Sequence, residues 1–467
     1  MSRRGFLSGT AALAGLWTLG GRVILAEPPK TTAARTRVRL VFSHHRQDAQ
    51  GKQSEPGWPH LGYDQEARKR ELLAKLRAGC PESEFLPATA YNADDAKKLL
   101  EADQEVDGYL AYMIGGWAGA GETIAAAGKP TIYVGDLYGA SGEFLAATAA
   151  ARRKRLRAFG VTSSRFDDVV QAVRCLETMK KLGVSTILVV GAGPGDLGKA
   201  IEQVFGTRVV PITFPEINDA YEKADRAQAQ RWADKWMGEA ARVVEPTAEE
   251  IAKSAAMYLA LRRLLDERQA QAVTMNCLGG VYSGQTHAYP CLGFFQLNSD
   301  GQVGACEADL QSTITMLAMK YLVAKPGYIS DPIIDTATNR IVYIHCVAPN
   351  RVFGPEGPTN PYEIRSHAED RKGAAIRSLM PVDQTVTTLQ FAPTRREVII
   401  HQARTVDNID EPRVCRTKLA AEVKGDINKL LGEWDRWGWH RVTFFGDHKL
   451  AVEQLSALLG FTVVEEA

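Results

Sequence analysis

Short apolar runs alternate with helical patterns over the first two thirds of the chain. After a polar segment, VRLVFS predicts a buried strand, and a helix pattern begins near residue 63. DGYLAYMI and PTIYVG predict further strands, with the helix pattern GETIAAAGK between them. Strands that alternate with helices indicate a parallel sheet with helices on both faces. We therefore predict a doubly wound, Rossmann-like α/β domain over residues 36–160.

The same order of patterns returns over residues 161–330, for which we predict a second doubly wound domain. Here the strand pattern STILVV is followed by the glycine-rich turn GPGDLG and another helix pattern. That turn, residues 193–198, has the spacing of a dinucleotide-binding loop. Such turns also occur wherever a helix packs closely on a sheet, so a nucleotide-dependent enzyme is one open alternative.

The pattern of apolar and polar residues changes after about residue 330. The stretches RIVYIHCVA, TVTTLQFA, REVIIHQARTV and HRVTFFG alternate apolar with polar positions. This alternation is typical of an antiparallel sheet or small barrel with one solvated face. We predict a β-rich antiparallel C-terminal domain over residues 331–467. The predicted fold class is thus α/β, with two parallel-sheet domains followed by this third one.

The first residues predict a targeting signal rather than a part of the folded domains. Arg3 and Arg4 precede an apolar run that ends near Leu19 and is too short to cross a bilayer comfortably. The stretch SRRGFL resembles a twin-arginine export signal. We expect residues 1–26 to be removed and the protein to be periplasmic or secreted, without stable membrane insertion.

The net charge argues against two classes of binding partner, and the cysteine spacing argues against one class of metal site. The formal net charge of the 467-residue chain is +1, and loss of Arg3, Arg4 and Arg22 with the leader takes it to −2. A nearly neutral chain argues against nucleic acid and against an anionic membrane surface. The seven cysteines include no C-x-x-C pair, which argues against a closed cysteine zinc site. One disulfide would suit an exported protein, but the spacing does not assign it.

Two acids stand out in GACEADLQSTITMLAMKYL, residues 304–322. Asp309 precedes a helix pattern and is well placed as its N-cap. Glu307 has no such local explanation, because a carboxylate in an apolar setting needs a partner or a metal. The question is whether the pair carries chemistry.

Histidines and tryptophans supply the other candidates. His345 shares a strand face with Ile341 and Tyr343, which suits a hydrogen-bonded core residue as well as a ligand. His440 opens the last long strand pattern and follows three tryptophans. These tryptophans, of which Trp439 is the last, form either core or a stacking surface for a sugar ring.

Several of these stretches together resemble the L-fucose isomerase and L-arabinose isomerase superfamily, in particular stand-alone proteins with the fucose isomerase C-terminal region. They are YPCLGFFQLNSDGQVGACEADLQSTITMLAMKYL, YIHCVAP and WHRVTFFGDHKLAVEQLSALLGF. The resemblance implies an aldose–ketose isomerase with a divalent metal, usually manganese, between the second and third domains. The metal would polarise an open-chain sugar while a carboxylate moves a proton between C1 and C2.

The resemblance also implies roles for individual residues. Asp309 would be a metal ligand or base, with Glu307 as a further ligand or catalytic acid beside it. His440 resembles the family's metal-binding histidine. His345 would lie nearby, as a contact to the substrate. Oxygen and imidazole ligands suit manganese or a similar metal.

The family supplies one more glutamate, about two dozen residues before this acid. The interval NCLGGVYSGQTHAYPC contains no carboxylate, so Gln285 and His287 are the candidates there. Since glutamine cannot take up a proton at physiological pH, His287 is the candidate base and Gln285 a substrate contact.

Further substrate contacts are predicted from the first domain and from the tryptophans. The resemblance implies a homotrimer or homohexamer in which a neighbour's first domain closes the active site. His44 and Trp58, which follow the first strand, would then contact a small sugar, together with Trp439. No nucleic-acid partner is expected.

Two other classes of function stay open. A glycoside hydrolase, lyase or epimerase on the same scaffold would use Glu307 or Asp309, with Asp447 or Glu433 as its partner. A non-catalytic periplasmic sugar-binding protein would use the tryptophans and polar loops. Chelation separates these classes, because only the isomerase requires a metal.

Overall fold

A computed structural model describes residues 35–48 and 62–467. Its first part contains a five-stranded parallel sheet of order β2-β1-β3-β4-β5. Strand β3, Gly108–Met113, is buried along its whole length, as a sheet between helix layers requires, which explains its nearly continuous apolar sequence. The elements are β1 Thr36–Ser43, α1 Gln65–Gly79, β2 Ser83–Ala90, α2 Ala93–Ala102, β3 Gly108–Met113, α3 Ala120–Ala126, β4 Thr131–Gly135, α4 Ser141–Lys154 and β5 Ala158–Val161.

The second part contains a four-stranded parallel sheet of order β10-β9-β6-β7. Its helices cover both faces of the sheet, and its last helix, α12, starts at the residue after Asp309. The elements are α5 Phe166–Gly183, β6 Thr186–Val190, α6 Gly195–Phe205, β7 Arg208–Ile212, α7 Phe214–Glu222, α8 Arg226–Glu239, β8 Arg242–Val243, α9 Ala248–Glu267, β9 Ala272–Met275, α10 Cys277–Tyr282, α11 Cys291–Ser299, β10 Val303–Ala305 and α12 Leu310–Val323.

The third part is built on a seven-stranded sheet of order β15-β18-β11-β12-β17-β16-β19. An additional pairing of β15 with β16 closes six of these strands into a barrel-like ring, and β19 adds to β16 in parallel. The elements are β11 Tyr328–Asp335, β12 Arg340–His345, β13 Tyr362–Arg365, β14 Ala375–Ser378, β15 Thr385–Ala392, β16 Glu397–Asn408, β17 Thr417–Lys424, α13 Ile427–Glu433, a 3₁₀ helix Trp434–Trp437, β18 Arg441–Phe445, α14 Lys449–Leu459 and β19 Thr462–Glu465.

The predicted fold class is confirmed: two parallel sheets flanked by helices precede an antiparallel sheet. The predicted domain bounds stay predictions, and β11 runs across the one at residue 330. A small three-stranded sheet of order β14-β13-β8 joins the second part to the third. One apolar cluster contains side chains from all three large sheets, among them Val38, Ile187 and Val442. The three sheets therefore share a packed core.

Membrane-spanning segments were also sought. Within residues 35–48 and 62–467, no helix combines the length and the apolar character needed to cross a bilayer. The predicted export signal, residues 1–26, lies outside the described residues.

A buried ion pair anchors the strand that leads from His440. Arg441 is fully buried and its guanidinium lies 3.0 Å from the carboxylate of Glu466, which also bonds to His401. Arg441 in turn donates to the carbonyl oxygen of His440 at 2.9 Å. The pair thus fixes the backbone beside this histidine.

Replacing Glu466 with alanine is expected to lower the free energy of unfolding by about 3–5 kcal/mol, since Arg441 would be left buried and unpaired. Urea titration measures the change. Glu465→Ala is the control, because this neighbouring carboxylate is 53 % exposed and its ion pair with Lys449 is worth about 1 kcal/mol or less. Equal losses in the two variants would contradict a special role for the buried pair.

Candidate metal centre

Glu307 lies in the short turn between β10 and α12, at the carboxyl end of the second parallel sheet. Glu307 and Ala308 both have left-handed backbones, with φ of 64° and 54°. Non-glycine residues rarely adopt this conformation, and it persists where the surrounding structure enforces it. Here the Ala308 N–H donates to the carbonyl oxygen of Met275 at 2.8 Å. The turn aims the Glu307 side chain away from its own sheet and toward the third one.

Asp309 is the N-cap of α12, as predicted, and accepts from the Ser312 N–H at 2.9 Å. Its second carboxylate oxygen lies 3.0 Å from Nδ1 of His440. Both oxygens are therefore engaged within the protein. A carboxylate that holds Nδ1 of a histidine fixes the ring and leaves Nε2 as the outward-facing atom.

Asp331 is brought beside His440 by the register of β11 and β18. Ser330 pairs with Arg441, so the next position of β11 faces the residue just before β18. The Asp331 carboxylate lies 3.1 Å from His440 Nε2, although it is not aligned as a hydrogen bond. On the other side of β11, Asp331 pairs with Ile344, the neighbour of His345. The central strand thus carries an acid between two histidines.

Ligand atoms of Glu307, His345 and His440 lie within 4.8 Å of one another. Glu307 is 3.6 Å from Nε2 of each histidine. We call these three residues and Asp331 the Glu307 cluster. Both imidazoles are buried, and Nε2 of each has no hydrogen-bond partner among the residues that the structure describes.

The charges of the cluster shift its pKa values in a consistent pattern. Burial alone would raise the pKa of Glu307 and of Asp331, but the nearby imidazoles outweigh it and hold both below their ordinary values. Burial alone would lower the pKa of His440, but Asp309 and Asp331 outweigh it and raise that pKa to about 10. The pocket therefore favours positive charge at its centre.

This donor set fits a divalent metal ion. Within residues 35–48 and 62–467, the buried Nε2 atoms of His345 and His440 lack hydrogen-bond partners. A buried polar atom without a partner is unfavourable unless something else binds it. Carboxylate and imidazole donors together suit manganese and similar first-row metals. Glu307, His345 and His440 are therefore a candidate metal site. Its metal is not identified by the geometry.

Four of the predicted site residues come together here: Glu307, Asp309, His345 and His440. Asp309 touches His440 but is not one of the three residues whose ligand atoms group within 4.8 Å. The three tryptophans differ in exposure. Trp434 and Trp437 are buried, whereas the side chain of Trp439 is 62 % exposed. The indole of Trp439 lies beside Asp331. Trp439 is thus placed at the rim of the cluster, where the sequence analysis expected a substrate contact.

Gln285 and His287 lie elsewhere on the second part of the chain. His287 is exposed, and its Nδ1 lies 2.9 Å from Glu222 at the end of α7. The carbonyl oxygen of Gln285 accepts from Asn218 on the same helix. No hydrogen bond or ion pair of either residue reaches the Glu307 cluster in the described part of the chain, so the geometry gives neither one a place beside it.

His44 is buried at the carboxyl end of β1, with its ring edge against Tyr91. Burial lowers its pKa to about 4, so this imidazole is neutral at physiological pH. In the described part of the chain, its hydrogen bond goes to the His45 carbonyl oxygen and its ring contact to Tyr91, not to the Glu307 cluster. Trp58 lies outside the described residues. The predicted roles of both depend on a neighbouring subunit and stay predictions.

Asp331 is the member of the cluster that the sequence analysis missed. It lies about two dozen residues after Glu307, which is the interval that the resemblance gives between the two acids. The resemblance placed that interval before the Glu307–Asp309 motif, where Gln285 and His287 lie. An interval of the same length after Glu307 ends on Asp331, the acid in YISDPII. The cluster thus contains a second carboxylate, whereas the roles predicted for Gln285 and His287 stay predictions.

Asp309→Asn is expected to weaken metal binding about 10–100-fold, which is typical when the residue that orients a ligand is changed. Asparagine caps helices as well as aspartate does, so α12 should keep its stability. Manganese titration calorimetry measures the affinity. The matched control is Asp225→Asn at the N-cap of α8, where no histidine bonds to the cap. Wild-type affinity in Asp309→Asn would contradict the orienting role.

The metal-free chain is expected to lose stability as the pH rises from about 6.5 toward 10. The folded-state pKa of His440 is raised to about 10 from an ordinary 6.5, so its stabilising charge is fully present below 6.5 and disappears as the pH passes through 10. Urea titrations across this range test the slope. His440→Asn should flatten it, and an unchanged slope in this variant would contradict the assignment.

Comparisons with known proteins give a distant match to sugar isomerases. Sulfoquinovose isomerases of Priestia aryabhattai and Priestia megaterium are each 21 % identical over 293 residues, which are 60 % of this chain and 64 % of theirs. The match thus spans less than two thirds of these relatives. No family model matches the chain. A solved structure, the XylFII molecule, covers 54 % of this chain and 85 % of its own at 12 % identity, with a TM-score of 0.16.

Proposed function

We propose that this chain is a metal-dependent aldose–ketose isomerase of the L-fucose and L-arabinose isomerase type, which acts on a small open-chain sugar. One observation carries the proposal: the carboxylates of Glu307 and Asp331 lie 3.6 Å and 3.1 Å from the same buried histidine nitrogen, Nε2 of His440. Two acids around one ligand atom supply both a metal site and proton-moving groups. The distant similarity to sulfoquinovose isomerases supports the isomerase class.

Glu307, His345 and His440 would hold the ion, with Asp331 beside them. When bound, manganese or a similar ion polarises the carbonyl and the adjacent hydroxyl of the sugar. Asp309 keeps His440 oriented through its Nδ1. Trp439 offers an exposed ring at the rim, against which the carbon chain of a sugar can pack.

The two carboxylates of the cluster move the proton. Their pKa values lie below the ordinary range, so both are ionised at neutral pH and can accept. One of them takes the proton from C2 of the aldose and a proton returns to C1, while the proton of the C2 hydroxyl passes to the oxygen on C1, which gives the ketose.

The test starts from protein purified without chelator. We expect bound divalent metal, or uptake of added manganese, and ketose formation from at least one member of a panel of pentoses, deoxyhexoses and sulfoquinovose. Absence of metal even after manganese is added would overturn the proposal. Cleavage of glycosides that survives chelation would favour the hydrolase alternative instead.

The proposal also includes the export of the protein and its oligomeric state. Export through a twin-arginine signal rests on the sequence SRRGFL near the N-terminus. It is tested by expressing the full chain in a bacterium, sequencing the N-terminus of the periplasmic product, and repeating this with Arg3 and Arg4 replaced by lysine. A homotrimer or homohexamer is expected by light scattering, with His44 and Trp58 of one subunit closing the site of the next.

A further inference from the structure

Two of the seven cysteines meet at one end of a pair of neighbouring strands. Cys346 directly follows β12, and Cys415 lies two residues before β17, which pairs with β12 in antiparallel register. Since His345 pairs with Thr417, the two cysteines lie at the same end of the ladder. Their Sγ atoms are 3.5 Å apart, and both cysteines are free thiols.

This separation is short enough for a bond. A disulfide has an S–S length of about 2.05 Å, so the sulfurs need to approach by only about 1.5 Å in total, which small side-chain rotations supply. Because the strands are already paired, neither backbone segment has to be recruited from elsewhere. The pair is therefore held close to the bonded arrangement by the sheet itself.

The surroundings of the pair are polar and partly open. The imidazole of His367 lies beside Cys346, and its Nδ1 lies 3.2 Å from the carboxylate of Asp370. Cys415 is half-buried and follows the exposed residues 412–414. A small reagent can thus reach Cys415 first, without the barrel having to open.

We propose that Cys346 and Cys415 form a reversible disulfide, produced by exchange with a small-molecule disulfide. Cys415 attacks one sulfur of the reagent, whose S–S bond breaks, and one small thiol leaves from the resulting mixed disulfide. Cys346 then attacks the Cys415 sulfur, and the second small thiol leaves. Two electrons pass from the protein to the reagent, and the two protons of the cysteines leave with the two small thiols.

The bond would tie the residue after His345 to the loop before β17. It thereby restrains one wall of the Glu307 cluster. The proposal about the bond itself does not depend on the proposed isomerase activity, because it is tested on thiols alone.

The test uses the full chain, reduced and then freed of reductant, and treated with oxidised glutathione. Free thiols are then alkylated and the protein is digested without reduction for mass spectrometry. We expect two fewer free thiols per chain, one peptide pair linked through Cys346 and Cys415, and recovery of both thiols with dithiothreitol.

Two variants sharpen the result. Cys415→Ser should abolish the linked peptide and the paired loss of thiols, whereas Cys175→Ala, in the buried helix α5, should leave both unchanged. Linkage of Cys277 to Cys306 instead would overturn the proposal. A stable glutathione adduct on Cys415 of the wild-type chain would overturn it as well, and neither of these outcomes depends on a variant that folds.

Discussion

Asp331→Asn is expected to lower the rate of ketose formation by about 10²–10⁴-fold, which is the usual contribution of a positioned acid or base. Asparagine keeps the shape of the side chain and an oxygen that a metal can bind, but it cannot accept a proton. The carboxylate lies 3.1 Å from His440 Nε2, so its loss changes the chemistry at the centre of the cluster. Steady-state kinetics should therefore show a fall in kcat. The cooperative unfolding transition of the same variant, measured by urea titration, should change little.

Asp335→Asn is the matched control for this variant. Asp335 ends the same strand, is exposed, and bonds only to the following turn in the described structure. It should retain the wild-type rate. If Asp331→Asn also retained it while Glu307→Gln did not, Glu307 would be the only proton-moving acid and Asp331 a ligand or structural residue.

Removal of the metal is expected to have the second large effect. Chelation should reduce turnover by at least about 10²-fold, because metal polarisation supplies several kcal/mol of transition-state stabilisation and 1.4 kcal/mol corresponds to tenfold. Added manganese should restore the wild-type chain. His440→Asn should neither bind the ion nor recover, because it removes the buried Nε2 that Glu307 and Asp331 surround.

His287→Asn tests whether His287, the candidate base of the sequence analysis, moves the proton instead of the carboxylates of the Glu307 cluster. His287 is exposed and pairs with Glu222 outside the cluster, so the variant should keep both metal binding and turnover. Metal content by mass spectrometry and ketose formation are measured side by side. Loss of activity with intact metal binding in His287→Asn would restore the interpretation in which this histidine moves the proton.

The order of the helices and strands was largely predictable because it follows from local patterns of apolar and polar residues. The continuous apolar runs of the buried parallel strands and the alternation of the later ones distinguish the two kinds of sheet. The N-cap role of Asp309 also followed from its position before a helix pattern. What each strand pairs with is not a local property. The sequence indicated an antiparallel sheet or a small barrel, and the pairing of β15 with β16 decides between them.

The site was predictable only in part, for the same reason. Glu307 and His440 were found because they stand in recognisable motifs. Asp331 stands in an ordinary strand, and its role arises from the register that sets Ser330 against Arg441. A shift of one residue would turn this acid to the other face, and the sequence of a single strand does not fix that choice.

The Glu307 cluster is assembled from four segments that are far apart along the chain, at residues 307, 331, 345 and 440. An unfolded chain would present these donors separately, so an ion that favours the assembled set binds the folded state. At a free concentration one hundred times its Kd, such an ion adds about 2.7 kcal/mol to the folded state by mass action. Folding must then precede loading, and the local supply of the ion becomes one determinant of how long the protein escapes proteolysis.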